Sequence, residues 1–256
     1  MAHQFTKPAV LILADGTIVH GKAFGKTGTA TGEICFNTGM TGYQEVFTDP
    51  SYYGQVLIMN NVHIGNYGVK TSDVESGSVK VKAVIGRNLE EKYSRFMADA
   101  SLQEYFEEQG VVAIDGVDTR ALVAHVRTCG AMNCIVSSET TDIANLKNQL
   151  QLVPDMSGLE LASVVSTGKS YELGDAGSNL RVAILDFGVK RNILHCLLER
   201  GVYVKVFNAK TGIDELNQFN PTGYFISNGP GDPAPMDYAI KTVKQILATG
   251  KPLFGI

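Results

Sequence analysis

Residues 227–233 read Ser-Asn-Gly-Pro-Gly-Asp-Pro, a spacing suited to receiving negative charge. Gly229 and Gly231 remove side chains and expose backbone N–H groups, while Pro230 and Pro233 stiffen the turn. Such a loop can receive an anion, or an oxyanion that develops during acyl transfer. The plainer reading is a tight strand-to-helix turn, but two glycines and two prolines in one loop favour a site. Residues 37–51 (NTGMTGYQEVFTDPS) are also dense in glycine and polar groups, and Asp49-Pro50-Ser51 is a turn that presents a hydroxyl. Composition alone leaves this segment a capped turn. Lys190 and Arg191 fall in the first turn of an expected helix, where positive charge opposes the macrodipole, which hints at an anionic partner or phosphate.

The thiols are Cys35, Cys129, Cys134 and Cys196, with no CxxC pair, so free reduced cysteines in a cytosolic protein are the simple reading. His125 and Cys129 are four apart and share a helix face, with Cys134 close by. A zinc site needs a fourth ligand and a tighter pattern, so no metal site is expected and these cysteines read as buried small residues. His195 and Cys196 are adjacent on a helix and diverge by about 100°, so spacing does not make them a base and nucleophile pair.

Three familiar patterns fail. Asp186-Phe187-Gly188 matches the kinase magnesium motif without its companion HRD and VAIK segments. Residues 21–27 (GKAFGKT) are one residue short of a P-loop, and Ser163 stands where the first glycine would precede Gly168-Lys169-Ser170.

The elements that must position these groups follow from pattern. Residues 10–13 and 17–23 flank Asp15-Gly16 as a hairpin, and 33–37, 55–59, 79–85, 111–114 and 132–136 read as further strands. A capping box at 41–44 opens a short helix that stops before Pro50. Residues 102–108 form a helix closed by Gly110, and Asp118 caps a helix to Arg127 with Leu122, Val123 and Val126 on its inner side. A further helix covers 143–152. From 182 onward, strands at 182–186, 202–207, 224–227 and 253–256 alternate with helices at 190–200, 213–219 and 238–248. That alternation specifies a parallel sheet with helices on both faces. The expected domains are 1–160, a linker at 161–180 with no sustained period, and 181–256.

Composition narrows the function classes. Net charge is −4, from 22 basic and 26 acidic residues, which argues against a nucleic-acid binder. The early apolar run at 9–14 is far too short for a membrane span or a signal core. With 44% hydrophobic and 19% charged residues the chain is globular.

Segments 40–45, 49–52, 63–66 (HIGN), 118–120 (DTR), 186–193 (DFGVKRNI) and 227–235 (SNGPGDPAP), with Asn37-Thr38, occur in one order across nearly the whole chain. Together they resemble the small, glutamine-hydrolysing subunit family of carbamoyl phosphate synthetases. The resemblance implies an α/β chain: an N-terminal β/β/α-type mixed domain that docks on the large subunit, then a truncated class I glutamine amidotransferase domain, flavodoxin-like with a parallel sheet. It implies that a cysteine attacks the L-glutamine carboxamide, assisted by a histidine and a glutamate. Ammonia then passes to the large partner subunit, which uses ATP and Mg to make carbamoyl phosphate for pyrimidine and arginine biosynthesis. The setting would be a cytoplasmic heterodimer with no cofactor in this chain. Gly229 resembles the backbone oxyanion donor, Gly231 lies beside bound glutamine, and Ser51 resembles the N-domain residue that touches glutamine.

In that family the nucleophilic cysteine directly follows the strand ending Phe-Gly-Ile, which here is 254–256. The expectation is therefore an N-terminal fragment that stops before the nucleophile elbow, lacks the catalytic Cys, His and Glu, and has negligible glutaminase activity alone. Two alternatives remain: a non-catalytic module that docks on the large subunit, and a flavodoxin-like nucleotide-binding module motivated by Gly188, Lys190 and Arg191.

Overall fold

The computed structural model describes residues 7–256, so the first six residues of the expected N-terminal domain lie outside the described ones. Contacts group the chain into two compact units. One runs to Thr48 and resumes over Gly54–Asp155; the other joins Asp49–Tyr53 to Met156–Ile256.

The first unit begins with β1 (Pro8–Leu13) and β2 (Ile18–Gly25), joined by the expected turn in which Gly16 takes φ +93°. There follow β3 (Thr29–Asn37), α1 (Tyr43–Thr48), β4 (Gln55–Met59), β5 (Ala83–Ile85) and α2 (Leu102–Gln109). The unit continues with β6 (Val112–Asp115), α3 (Thr119–Cys129), β7 (Asn133–Ser137) and α4 (Ile143–Leu150). The strands close into a barrel of order β1-β2-β6-β5-β4-β3-β7. The pairs β3–β4, β4–β5 and β5–β6 are parallel, whereas β2–β6, β3–β7, β1–β2 and β1–β7 are antiparallel. In the N-terminal domain, for which the resemblance implied a β/β/α-type mixed fold, the strands thus form a closed barrel. Closure rests on β1 meeting β7, a pairing of distant segments that no local pattern encodes.

Alternation fixes the two sides of the wall. Leu11, Leu13, Ile34, Ile58, Ile114 and Val136 join one buried cluster, which Leu122, Val123 and Val126 of α3 complete. Val10, Ile12 and Ile135 face the other way, against Leu146 and Leu150 of α4. Asp118 caps α3 by accepting from the Ala121 N–H, and Ser101 and Glu104 form a reciprocal capping box on α2. The box expected at Thr41 is replaced: the helix starts at Tyr43, and the Gly42 and Tyr43 N–H groups donate to Tyr67 Oη at 2.8 and 3.2 Å. The strand expected over 79–85 shortens to β5, because Lys80 spends its N–H on Phe47 O in a loop contact.

The second unit contains a single 3₁₀ turn, Pro50–Tyr52, and then α5 (Ala162–Val165), β8 (Tyr171–Leu173) and β9 (Arg181–Asp186). α6 (Arg191–Leu198), β10 (Tyr203–Asn208), α7 (Ile213–Gln218), β11 (Gly223–Ile226), α8 (Asp237–Ala248) and β12 (Leu253–Gly255) follow. The sheet order is β12-β11-β9-β10-β8, parallel except for β8 at one edge. Ala183 and Leu185 share a core with Leu216, Ala239 and Ile246 from α7 and α8; Ile184 points to the other face and packs with Leu194 of α6. Helices therefore cover both faces, as a strand buried on two sides requires. The stretch 161–180 holds α5 and β8 where a structureless linker was expected, since pairing with β10 orders a segment without local periodicity. Among the described residues no helix is long and apolar enough to cross a membrane.

Candidate functional site

The site is built where β9 and β11 end side by side. Ligands in open α/β sheets bind beyond the carboxyl ends of parallel strands. Asp186 closes β9 and is buried; its Oδ1 accepts from the Gly188 and Val189 N–H groups at 2.9 and 2.8 Å, and its Oδ2 accepts from the Thr167 N–H at 2.7 Å. The sequence Asp-Phe-Gly is thus a turn clamp, which the rejected kinase match did not reveal. Ser227 follows β11 and accepts the Phe187 N–H at 2.9 Å, which ties the two loops together.

That tie brings Gly229 against Phe187. A Cβ built on Gly229 would lie 2.2 Å from Phe187 O, so only glycine fits. Among the described residues no internal group accepts from the Gly229 N–H. Gly231 takes φ +83°, and a Cβ there would meet Leu159 O at 2.5 Å. Its neighbour Asp232 latches the loop: the Asp232 N–H donates to Leu159 O at 2.9 Å, and its carboxylate accepts from the Gly158 and Ala234 N–H groups. The Ala234 and Gly158 N–H groups hold the Asp232 carboxyl below its ordinary range. Glu160 accepts from Ser163 and from Tyr238 Oη at 2.9 Å; burial first, then Glu160, pushes the tyrosine hydroxyl's pKa up.

Ser51 sits with this unit and not with the barrel. Asn228 Nδ2 donates to Ser51 Oγ at 2.7 Å and to Gly188 O at 3.0 Å. Asp49 accepts the Ser51 N–H at 2.9 Å, and its other oxygen lies 3.3 Å from Lys190 Nζ. Gly188, at φ +128°, leaves room for Pro50, whose Cβ would be 2.9 Å from an added Cβ. The anion foreshadowed by Lys190 is therefore the Asp49 carboxylate, and the start of α6 needs no phosphate to explain its charge. Lys190 itself is the extended residue before α6 and not part of its first turn.

Gly229 and Gly231 line a cavity of about 500 Å³, together with Phe187, Ser227, Pro233 and Met236. Its size suits a small polar substrate with an apolar stem. The structure thus ties Ser51 to Asn228, the residue before Gly229, while Ser51 itself is not among the residues that line this cavity. Sequence reading missed the roles of Asn228, Asp49, Asp186 and Asp232. The turn-forming pairs Asp49-Pro50 and Asp232-Pro233 were the available signal. Asn228 Oδ1 is buried and has no hydrogen-bond partner among the described residues.

The thiols lie elsewhere. Cys196 lines a separate apolar groove between α6 and β12, and His195 is not among that groove's lining residues. Cys134 is buried in the barrel wall, Cys35 is partly buried, and Cys129 is exposed, contrary to the expectation that it is buried. Asp15, not Cys134, is the third member beside His125 and Cys129.

Comparison with known proteins gives two family matches. Residues 11–136 match the carbamoyl-phosphate synthase small chain, CPSase domain, and residues 183–256 match glutamine amidotransferase class-I. A carbamoyl phosphate synthase small chain from Chlorobaculum tepidum is 43% identical over 251 residues, covering 97% of this chain and 69% of the relative. The protein of that name from Nostoc sp. is 45% identical over 97% of this chain and 68% of its own length. That from Salmonella typhimurium is 41% identical, covering 98% and 70%.

Proposed function

The chain belongs to the carbamoyl-phosphate synthase small-chain family, and from that premise we propose that the loop of Gly229 and Gly231, with Ser51, forms the glutamine-binding wall of its amidotransferase unit. The family's work is glutamine hydrolysis, which supplies ammonia for carbamoyl phosphate synthesis by a synthase with a large-subunit partner. The carrying observation is Gly229. Its N–H has no internal acceptor among the described residues, its neighbours forbid a side chain, and it lines a cavity at the end of β11. A backbone donor fixed in this way stabilises the oxyanion of thioester formation and hydrolysis without reorganising. Gly231 exposes backbone beside the substrate, and Ser51, oriented by Asn228, offers a hydroxyl to it.

The order β10-β9-β11-β12 is that of a flavodoxin-like sheet, 2-1-3-4, which supports reading residues 181–256 as part of such an amidotransferase domain. Barrel residues up to about 160 would dock the large subunit, where ATP and Mg would be used, in a cytoplasmic heterodimer. None of the four cysteines is among the residues that line the cavity. Of the residues that motivated the nucleotide-binding alternative, Lys190 pairs with Asp49 and Gly188 packs against Pro50.

The test is made in the assembled synthase. Gly229→Ala keeps the N–H, but its methyl must push it out of place, so glutamine-dependent carbamoyl phosphate formation should fall by up to about 10²-fold while ammonia-dependent formation is kept. Equal loss of both activities, or loss of neither, would remove Gly229 from the glutamine site.

A further inference from the structure

The barrel unit carries a second arrangement of chemistry-bearing side chains, formed by the β1–β2 turn and the last turns of α3. His125 Nε2 lies 2.6 Å from Asp15 Oδ2, and Cys129 Sγ lies 3.9 Å from His125 Nδ1. The other Asp15 oxygen accepts the Thr17 N–H at 2.9 Å, so the carboxylate cannot swing away freely. Thr17 first, and His125 after it, hold Asp15 ionised below the ordinary aspartate range. A carboxylate only accepts, so the imidazole places its proton on Nε2 and turns the Nδ1 lone pair toward Cys129. The order is thiol, base, orienter, the arrangement that activates a nucleophile. Cys129 is also the exposed thiol of the four. Burial pushes the Cys35 thiol up to about 12, and burial raises that of Cys134 as well, which makes both poor nucleophiles at neutral pH.

We propose that Cys129 is a site of reversible S-thiolation by low-molecular-weight disulfides, with His125 as its base and Asp15 as the positioning residue. The proton of the Cys129 thiol moves to His125 Nδ1. The thiolate attacks one sulfur of the small disulfide; a new S–S bond forms to Cys129 and the old S–S bond breaks. The leaving thiolate carries off the electron pair and takes the proton from the imidazolium. Cys129 is oxidised to a mixed disulfide and the reagent is reduced to one thiol. An apolar groove of about 320 Å³, lined by Val19, Val117, Ala121, Leu122 and His125, adjoins the base and offers a seat for the reagent's carbon skeleton. Asp118 also lines this groove, and Arg127 is the basic residue of the last turn of α3.

The experiment incubates the folded chain with oxidised glutathione or an aromatic disulfide at pH 7 and follows each cysteine by peptide mass. Cys129 should be modified first, at least about tenfold faster than Cys196 and than the same cysteine in the urea-unfolded chain. His125→Gln should remove that advantage, and Cys129→Ser should abolish the fast phase. In Asp15→Asn, folded by circular dichroism, the rate advantage of Cys129 over Cys196 should shrink, and Asp15→Glu should restore part of it. Reaction of Cys129 at the unfolded rate, or an unchanged rate in folded His125→Gln, overturns the proposal.

Discussion

Replacing Gly229 by alanine adds one methyl group where the structure has no space for it. The new Cβ would stand 2.2 Å from Phe187 O, 3.0 Å from Phe187 C and 3.0 Å from Phe187 Cβ. The nearest atoms are backbone, so no rotamer change relieves the clash. Nor can Phe187 retreat cheaply: its N–H is bonded to Ser227 Oγ, and the next two N–H groups are held by Asp186. A methyl forced into such a site costs about 1–3 kcal/mol. Gly168→Ala is the matched control, since nothing lies within 4 Å of its added Cβ and its φ is not in the left-handed region. There the smaller unfolded-state entropy should leave stability equal or raised by up to about 1 kcal/mol. Urea unfolding followed by tyrosine fluorescence reads both variants, since the chain has 10 Tyr and no Trp. Midpoints for the two variants that agree to within about 0.5 kcal/mol of stability would refute the packing argument. They would also remove the steric reason for glycine at this position.

Asp186→Ala strands three backbone N–H groups, two of them buried, and should destabilise the second unit by at least about 2 kcal/mol in the same urea assay. Lys190→Ala removes the partly exposed cation from the largely buried Asp49 carboxylate and should cost at least about 1 kcal/mol. Asn228→Ala should loosen Ser51, seen in the assembled synthase as a raised KM for glutamine that exceeds any fall in ammonia-dependent turnover. The Asp232 latch should be pH-dependent. Its folded pKa is lowered, so its contribution is complete above the ordinary value of 3.8 and is lost as pH falls through the lower folded value. Exchange of the Gly158 and Ala234 amides, corrected for intrinsic rates, should therefore accelerate in that acid window in the parent chain and show no such step in Asp232→Asn.

Local signals carried far where one residue or one period decides the outcome. The Asp15-Gly16 hairpin, the Asp118 cap and strand 55–59 were legible because turn chemistry, capping and a buried apolar run each act over a few residues. The alternation after residue 181 was legible for the same reason, and with it the placement of Gly229 beyond a strand end. Barrel closure was not, because it depends on β1 choosing β7 across more than a hundred residues. Strand β8 was hidden because the neighbouring strand, and not its own composition, orders it. Ser51 was identified through resemblance to a family, but its packing with the second unit rests on Gly188, Lys190 and Asn228, which lie far along the chain. Cys129 gave a helix-spaced histidine in sequence, whereas Asp15 came from 110 positions away.

The 3₁₀ turn at Pro50–Tyr52 also carries a consequence for synthesis. This short stretch leaves the ribosome early, between two strands of the barrel, yet its packing partners are Gly188, Lys190 and Asn228. At about 5–20 residues per second, those partners emerge on the order of ten seconds later. During that interval the barrel can form around a loop whose own contacts do not yet exist. Completion of the turn is then a late event that reports arrival of the second unit. A nascent chain arrested before residue 188 should leave this turn open to proteolysis, while one released beyond residue 228 should protect it.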